Sequence, residues 1–143
     1  MATERKASVT WQGDLMSGQG TIESVTSGVL GSLEVDWANR AEDAQGKTSP
    51  EELIAAAHAA CFAMALSNGL AKDGHAPERL ETSATVTFVP GTGITKSALT
   101  VRGSVPGLDE DGFRQAAEDA KENCPVSSAL KGNVELELHA TLI

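Results

Sequence analysis

Two cysteines are the residues of this sequence best suited to do chemistry. Cys61 lies in the segment AHAACFAM, residues 57–64, and Cys124 lies in NCPV, residues 123–126. Two thiols of one chain can be small core residues, close a structural disulfide, contribute to a metal site or form a redox pair. The chain has no other cysteine, so any role that joins two of its own sulfurs must use this pair.

The surroundings of Cys61 favour a core residue unless a cation reaches the thiol. Its neighbours are alanine, phenylalanine and methionine, and burial raises the pKa of a thiol because it penalises the thiolate. A nucleophilic Cys61 therefore needs a positive charge from elsewhere in the fold. The candidates are His58 one helical turn earlier, Arg40 just before the helix, and the more distant Arg79, Arg102 and Arg114.

Cys124 precedes a proline, and this placement predicts the N-cap of a short helix that begins at Pro125. A thiolate at an N-cap faces unpaired backbone N–H groups, which favour the charged form. A sulfur that serves as a cap and nothing else fits the same placement, so the residues alone leave both roles open.

The remaining cysteine chemistries are less favoured. A disulfide across this loop would stabilise the chain by about 4 kcal/mol, but the first residues lack the apolar segment of a signal peptide. We therefore expect a reducing cytoplasm, where permanent disulfides are rare. His58, Cys61 and Cys124 offer at most three metal ligands without paired spacing, so we expect no metal site.

Composition narrows the function classes further. The 143 residues predict one domain spanning 1–143, and the formal net charge is −9. Such a charge disfavours nucleic acid and anionic membrane surfaces, which bind through Lys and Arg. No run reaches 18 apolar residues, so no membrane span is predicted. Five aromatic residues leave a core built mainly from Ala, Val, Leu and Ile.

The pattern of the chain predicts the elements that hold the two sulfurs. Alternation predicts three short antiparallel strands at residues 8–15, 20–28 and 32–37. A helix is predicted from Pro50 to Lys72, with Ser49 as its N-cap and a stop at Gly74. Its alanine- and leucine-rich sequence predicts a mostly buried central helix.

The second half of the chain predicts a hairpin, two helices and a closing strand. The hairpin strands are residues 80–89 and 94–105, joined by a Pro-Gly-Thr-Gly turn. An amphipathic helix is predicted to begin at Asp109, and a final strand occupies residues 133–143. Strands followed by separate helices predict an α+β fold.

Two long motifs resemble the osmotically inducible protein C (OsmC) family, which groups with the organic hydroperoxide resistance (Ohr) proteins. They are TSPEELIAAAHAACFAMAL, residues 48–66, and NCPVSSALK, residues 123–131. The likeness continues through GSLEVDWANRAE, ITKSAL, VPGLD and the closing strand, so it covers almost the whole chain. The sequence AAHAACFAMAL and the context of Arg40 fit the OsmC branch better than the Ohr branch.

The resemblance implies a fold, an activity and partners. The fold is an OsmC-like α+β domain, with antiparallel sheets around two helices, one of them long and central, in an intertwined homodimer. The activity is a thiol-dependent peroxidase that reduces organic hydroperoxides, and hydrogen peroxide more weakly, in oxidative and osmotic stress. An external dithiol reductant is implied, and no cofactor.

The resemblance also assigns roles to four residues. Cys61 matches the peroxidatic cysteine and Cys124 the resolving cysteine. Arg40 matches the arginine that stabilises the thiolate, and Glu51 the glutamate that orients this arginine. Ala41 departs from the aromatic residue expected after the arginine, which changes the expected shape of the substrate pocket. For His58 we expect a role in helix packing or at an interface.

Two other function classes stay open at this point. One is a redox-sensing protein with a reversible disulfide and no meaningful turnover. The other is a binding module that holds an apolar ligand at a dimer interface. Sustained hydroperoxide consumption with a dithiol would separate the enzyme from the sensor, and ligand affinity that survives loss of both cysteines would indicate the binding module.

Overall fold

The computed structural model describes residues 1–143, which form two compact units, residues 1–50 and 51–143. Each unit contains a three-stranded sheet of its own. That the whole chain forms a single domain stays a prediction from its length.

The first unit is an antiparallel sheet followed by one helical turn. The strands are β1 (Ala7–Gln12), β2 (Gln19–Val25) and β3 (Leu33–Val35), in the order β1-β2-β3. The strand predicted at residues 32–37 extends too far toward its C-terminal end, because α1 (Trp37–Ala41) begins at residue 37. Asp36 caps this helix by accepting a hydrogen bond from the Asn39 amide at 2.8 Å.

The long helix α2 (Pro50–Lys72) has the boundaries that the sequence predicts. It ends in a Schellman motif, in which the His75 amide donates to the Leu70 carbonyl and the Gly74 amide to the Ala71 carbonyl. Gly74 has φ +84°, a conformation that favours glycine. The predicted stop is therefore confirmed together with its physical cause.

The burial of α2 differs from the prediction of a mostly buried helix. One face is inside and carries His58, Phe62, Leu66 and Leu70 at four-residue spacing. The opposite face is open within one chain, and Met64 is 72% exposed there. By length and hydropathy alone α2 could cross a membrane, but core helices pass the same test.

The second unit holds the remaining elements. They are β4 (Arg79–Val89), β5 (Gly93–Ser104), α3 (Glu110–Asn123), α4 (Pro125–Leu130) and β6 (Glu135–Leu142). The strand order is β4-β5-β6, and the predicted β4–β5 hairpin is confirmed as an antiparallel pair. Asp109 caps α3 as its sequence predicts, accepting from the Gly112 amide at 2.7 Å.

The last strand corrects one detail of the predicted topology. The sheets were expected to be antiparallel, but β6 pairs with β5 in parallel, from Lys96 opposite Glu135 to Gly103 opposite Leu142. Parallel neighbours require a crossover connection, and α3 and α4 supply it. This crossover brings the start of α4, and Cys124 with it, over the sheet that α2 packs against.

The core of the second unit lies between α2, α3 and the sheet. Phe62 and Phe113 are its largest fully buried side chains, and both are 0% exposed. Gly103 allows β5 to approach Phe113, since a Cβ atom there would lie 2.6 Å from the ring. Cys124 belongs to this core and Cys61 packs against it, so the fold itself places the two sulfurs.

Candidate functional site

Cys61 and Cys124 lie together inside the second unit. Cys61 is in the middle of α2 and half-buried, whereas Cys124 is fully buried at the junction of α3 and α4. Both are free thiols. A hydrogen bond between the two side chains changes the pKa of each of them. The arrangement suits a dithiol that can close to a disulfide and open again.

Cys124 is the N-cap of α4, as predicted from Pro125. Its sulfur accepts a hydrogen bond from the Ser127 amide, and the Ser127 hydroxyl lies 3.4 Å from the same sulfur. The sequence left open whether the sulfur serves as a cap alone or also reacts. The structure confirms the cap and adds a second sulfur beside it.

The two thiols have opposite electrostatic surroundings. Burial raises the pKa of Cys61 and the neighbouring Cys124 also raises it, while a hydrogen bond from the Val126 backbone lowers it in part; the net shift is upward. Burial acts to raise the pKa of Cys124 as well, but hydrogen bonds from Ser127, Cys61 and the Val126 backbone together outweigh it, and the pKa of Cys124 is lowered. Within residues 51–143, therefore, Cys124 is the better-stabilised thiolate, and an ionised Cys61 requires an additional positive charge.

A groove gives a small molecule access to Cys61. It has a volume of about 570 Å³ and runs between α2 and α3. Its lining next to Cys61 is largely apolar, with Met64, Ala65, Ala116 and Ala120. Cys124 does not line this groove. The accessible sulfur thus belongs to Cys61, and the shielded sulfur to Cys124.

His58 has partners that the sequence did not predict. It is fully buried, with Nδ1 2.7 Å from the Ser97 hydroxyl and Nε2 2.8 Å from the Ser127 hydroxyl. These contacts join α2 to β5 and α4 within one chain. The sole signal in the sequence was a polar residue inside an alanine-rich helix, and this signal does not identify the partners.

Arg40 and Glu51 lie in different units. Arg40, at the end of α1, lines an apolar cavity of about 190 Å³ in the first unit with Trp11, Leu15 and Trp37. Glu51 lies in the first turn of α2 and is 6% exposed. The pairing of Arg40 with Glu51 and with the Cys61 thiolate stays a prediction.

The buried His58 gives a prediction for the pH dependence of stability. Burial lowers the pKa of His58 below 6.5, its ordinary value. Between the folded and unfolded pKa values the unfolded state binds the proton and the folded state does not. The free energy of unfolding should therefore fall as the pH drops below about 6.5, by up to about 1.4 kcal/mol per pH unit.

The measurement is urea unfolding at several pH values and one protein concentration. His58→Gln should flatten the dependence below about pH 6.5, because glutamine does not titrate. The matched control is His139→Gln on β6, where the side chain is exposed. Equal pH dependence in His58→Gln and the unmodified chain would contradict the prediction.

Comparisons with known proteins identify the family of this chain. The family model described as OsmC-like protein matches residues 42–139, which include Glu51, Cys61 and Cys124 but not Arg40. The chain is 42% identical to Peroxiredoxin OsmC of Escherichia coli over 140 residues, 96% of each chain. It is 32% identical to the organic hydroperoxide resistance protein OhrB of Bacillus subtilis over 113 residues, 78% of this chain and 82% of that protein.

A solved structure supports the fold. The crystal structure of Bacillus subtilis OhrB superposes with a TM-score of 0.69 at 29% identity, covering 94% of this chain and 97% of that chain. The agreement extends over nearly the full length of both chains, and the family match includes both cysteines. The chain therefore belongs to the OsmC-like protein family.

Proposed function

We propose that this protein is a thiol peroxidase that reduces organic hydroperoxides through Cys61 and Cys124. It is a peroxiredoxin-like enzyme by family, and its relatives are named for peroxiredoxin activity and organic hydroperoxide resistance. The observation that carries the mechanism is the pairing of an accessible Cys61 with a buried Cys124 that interacts with it.

The first step takes place at Cys61. Its thiolate attacks the distal oxygen of the hydroperoxide, the O–O bond breaks, and the leaving alkoxide takes a proton to become an alcohol. Cys61 is oxidised to a sulfenic acid. The groove beside Cys61 is largely apolar, which favours alkyl and lipid hydroperoxides over hydrogen peroxide because their tails leave water on binding.

The second step uses Cys124. Its thiolate attacks the sulfenic sulfur, an S–S bond forms, and the S–O bond breaks. The leaving hydroxide takes a proton to become water. An external dithiol then reduces the disulfide by thiol–disulfide exchange. The rapid capture of the sulfenic acid protects Cys61 from irreversible oxidation.

Arg40 and Glu51 complete the proposed site. A guanidinium group keeps its charge in any surroundings, so Arg40 can supply the cation that the Cys61 thiolate needs. The Glu51 carboxylate would hold this guanidinium in a bidentate pair, that is, by two parallel hydrogen bonds. Support comes from the raised pKa of Cys61, which burial imposes within residues 51–143, and from the position of Glu51 inside the residues that the family model matches. For Arg40 the support is the resemblance of its sequence context.

We further propose that the enzyme is a homodimer. The outward face of α2 is apolar, with Met64 72% exposed and Ala60 beside it also exposed. A second copy of this chain would remove that face from water, which is the main driving force for permanent association. Sedimentation should give a dimer at micromolar concentration, and a stable monomer would oppose this part of the proposal.

Intact-mass measurement tests the proposal directly. One equivalent of cumene hydroperoxide should convert the reduced protein to a species lighter by two hydrogens, with Cys61 joined to Cys124. Cys124→Ser should instead gain one oxygen in the first turnover and more with excess peroxide, because nothing then captures the sulfenic acid. A mass that does not change in either protein would rule out the mechanism.

A redox sensor is the second candidate, since a sensor would close the same disulfide. Steady-state consumption of cumene hydroperoxide with dithiothreitol separates the two. The peroxidase turns over many times per protein molecule. Disulfide formation without sustained consumption would favour the sensor.

A further inference from the structure

A chain of polar side chains runs through the core to the sulfur of Cys124. Ser97 on β5 contacts His58 on α2, His58 contacts Ser127 on α4, and Ser127 contacts Cys124, at 2.7, 2.8 and 3.4 Å in turn. Ser97, His58, Ser127 and Cys124 are all 0% exposed. Buried polar groups cost stability unless they are paired, and here each member of the chain is paired with the next.

We propose that His58, held by Ser97, sets the direction of the Ser127 hydroxyl so that it donates a hydrogen bond to the sulfur of Cys124 when that sulfur attacks Cys61. Ser127 touches the reacting atom. His58 and Ser97 act through Ser127 and are positioning residues. This inference rests on the proposed peroxidase function and deepens its second step.

The hydrogen-bonding capacity of a neutral imidazole makes this control possible. One ring nitrogen donates and the other accepts. With the proton on Nε2, His58 donates to the oxygen of Ser127, whose own O–H is then free to point at Cys124. With the proton on Nδ1, the Ser127 O–H donates to Nε2, and the same oxygen can accept only the S–H of a protonated Cys124. The tautomer of His58 is thus linked to the ionisation of Cys124.

Burial keeps His58 in the neutral form that this arrangement needs, because it lowers the pKa of the imidazole. The titratable group that acts directly on Cys124 is Cys61 of α2, and His58 of the same helix reaches Cys124 through the Ser127 hydroxyl. Cys124 is fully buried in a core that also contains Phe113, Ala117 and Leu99. Hydrogen bonds are stronger in such apolar surroundings than in water.

In the second step the hydrogen bond acts on the nucleophile. Cys124 attacks as a thiolate and becomes part of the disulfide, while the oxygen of the Cys61 sulfenic acid leaves as water. The Ser127 hydroxyl raises the thiolate fraction of Cys124, and it is neither oxidised nor consumed. No further reactant is needed.

The test is Ser127→Ala, because this change removes the hydroxyl and keeps the backbone amide that also donates to Cys124. Rapid mixing with one equivalent of cumene hydroperoxide measures sulfenic acid formation and disulfide closure separately. We expect a first step that is not slowed and a closure about tenfold slower at neutral pH. Raising the pH should restore closure, since Cys124 then ionises without help.

The control is Ser128→Ala, which removes an exposed hydroxyl from the next position of α4. It should match the unmodified protein in both steps. Closure at the unmodified rate in Ser127→Ala, or closure slowed by one factor at every pH, would overturn the inference. If the unmodified protein itself forms no sulfenic acid, the proposed function fails instead, so the two failures are distinct.

A measurement on the unmodified protein covers the case in which Ser127→Ala does not fold. Nitrogen-15 NMR of reduced protein, at a pH where Cys124 is ionised, should place the His58 proton on Nε2. Acidification that protonates Cys124 should shift the proton toward Nδ1. A proton that stays on Nδ1 while Cys124 is ionised would also overturn the inference.

Discussion

Cys61→Ser is expected to abolish hydroperoxide consumption, with a loss of at least about 1000-fold. A serine hydroxyl is a far weaker nucleophile than a thiolate and cannot form a sulfenic acid. The substitution replaces one atom of a half-buried side chain, so the fold should survive. Steady-state consumption of cumene hydroperoxide with dithiothreitol measures the loss, and circular dichroism checks the fold.

A matched control comes from α4. Ala129→Ser introduces a hydroxyl at an exposed position of this helix, outside the groove beside Cys61, and it should leave consumption within about twofold. The result that contradicts the assignment is full turnover by Cys61→Ser with the dithiol present. In that case Cys124, whose pKa is the lower of the pair, would be the candidate for the attacking sulfur.

Arg40→Met is expected to slow the reaction of Cys61 with hydroperoxide by about 100-fold at neutral pH. Burial and Cys124 both raise the pKa of Cys61, so an ionised Cys61 depends on a cation. A nearby opposite charge changes a pKa by about 1–3 units, and each unit lost reduces the thiolate fraction tenfold. Rapid mixing across a pH series measures the rate, which should recover as the pH rises.

Two further variants define the role of this arginine. Arg40→Lys keeps the charge but cannot form a bidentate pair with Glu51. We therefore expect the rate of hydroperoxide reduction to lie between those of Arg40→Met and the unmodified protein. Arg5→Met removes an arginine from an exposed position of the same unit and should have no effect. An unchanged rate in Arg40→Met would show that another group ionises Cys61.

The features that could be predicted from the sequence have local causes. Pro50 and Gly74 mark the two ends of α2, because one fits the first helical turn and the other adopts the positive φ of the stop. Pro125 likewise fixes Cys124 as the cap of α4. The alternation of polar and apolar residues in the β4–β5 hairpin needs no distant partner to be recognised.

The features that could not be predicted depend on distant residues. No local pattern predicts that β6 pairs with β5 in parallel. Nor does one predict that His58 contacts Ser97 and Ser127. The proximity of Cys61 to Cys124 entered the sequence analysis through the resemblance, because spacing alone left four roles open for the pair. In a single chain one face of α2 is also exposed to solvent, although the apolar composition of this helix predicts that it is buried.

The crossover that carries Cys124 to the sheet also determines the order in which this protein can mature. During synthesis at roughly 5–20 residues per second, Cys61 leaves the ribosome several seconds before Cys124, and β6 emerges last. In that interval the nascent polypeptide holds a sulfur that no resolving partner can rescue. The dithiol of the proposed enzyme can therefore form only after α4 has emerged and folded against α2.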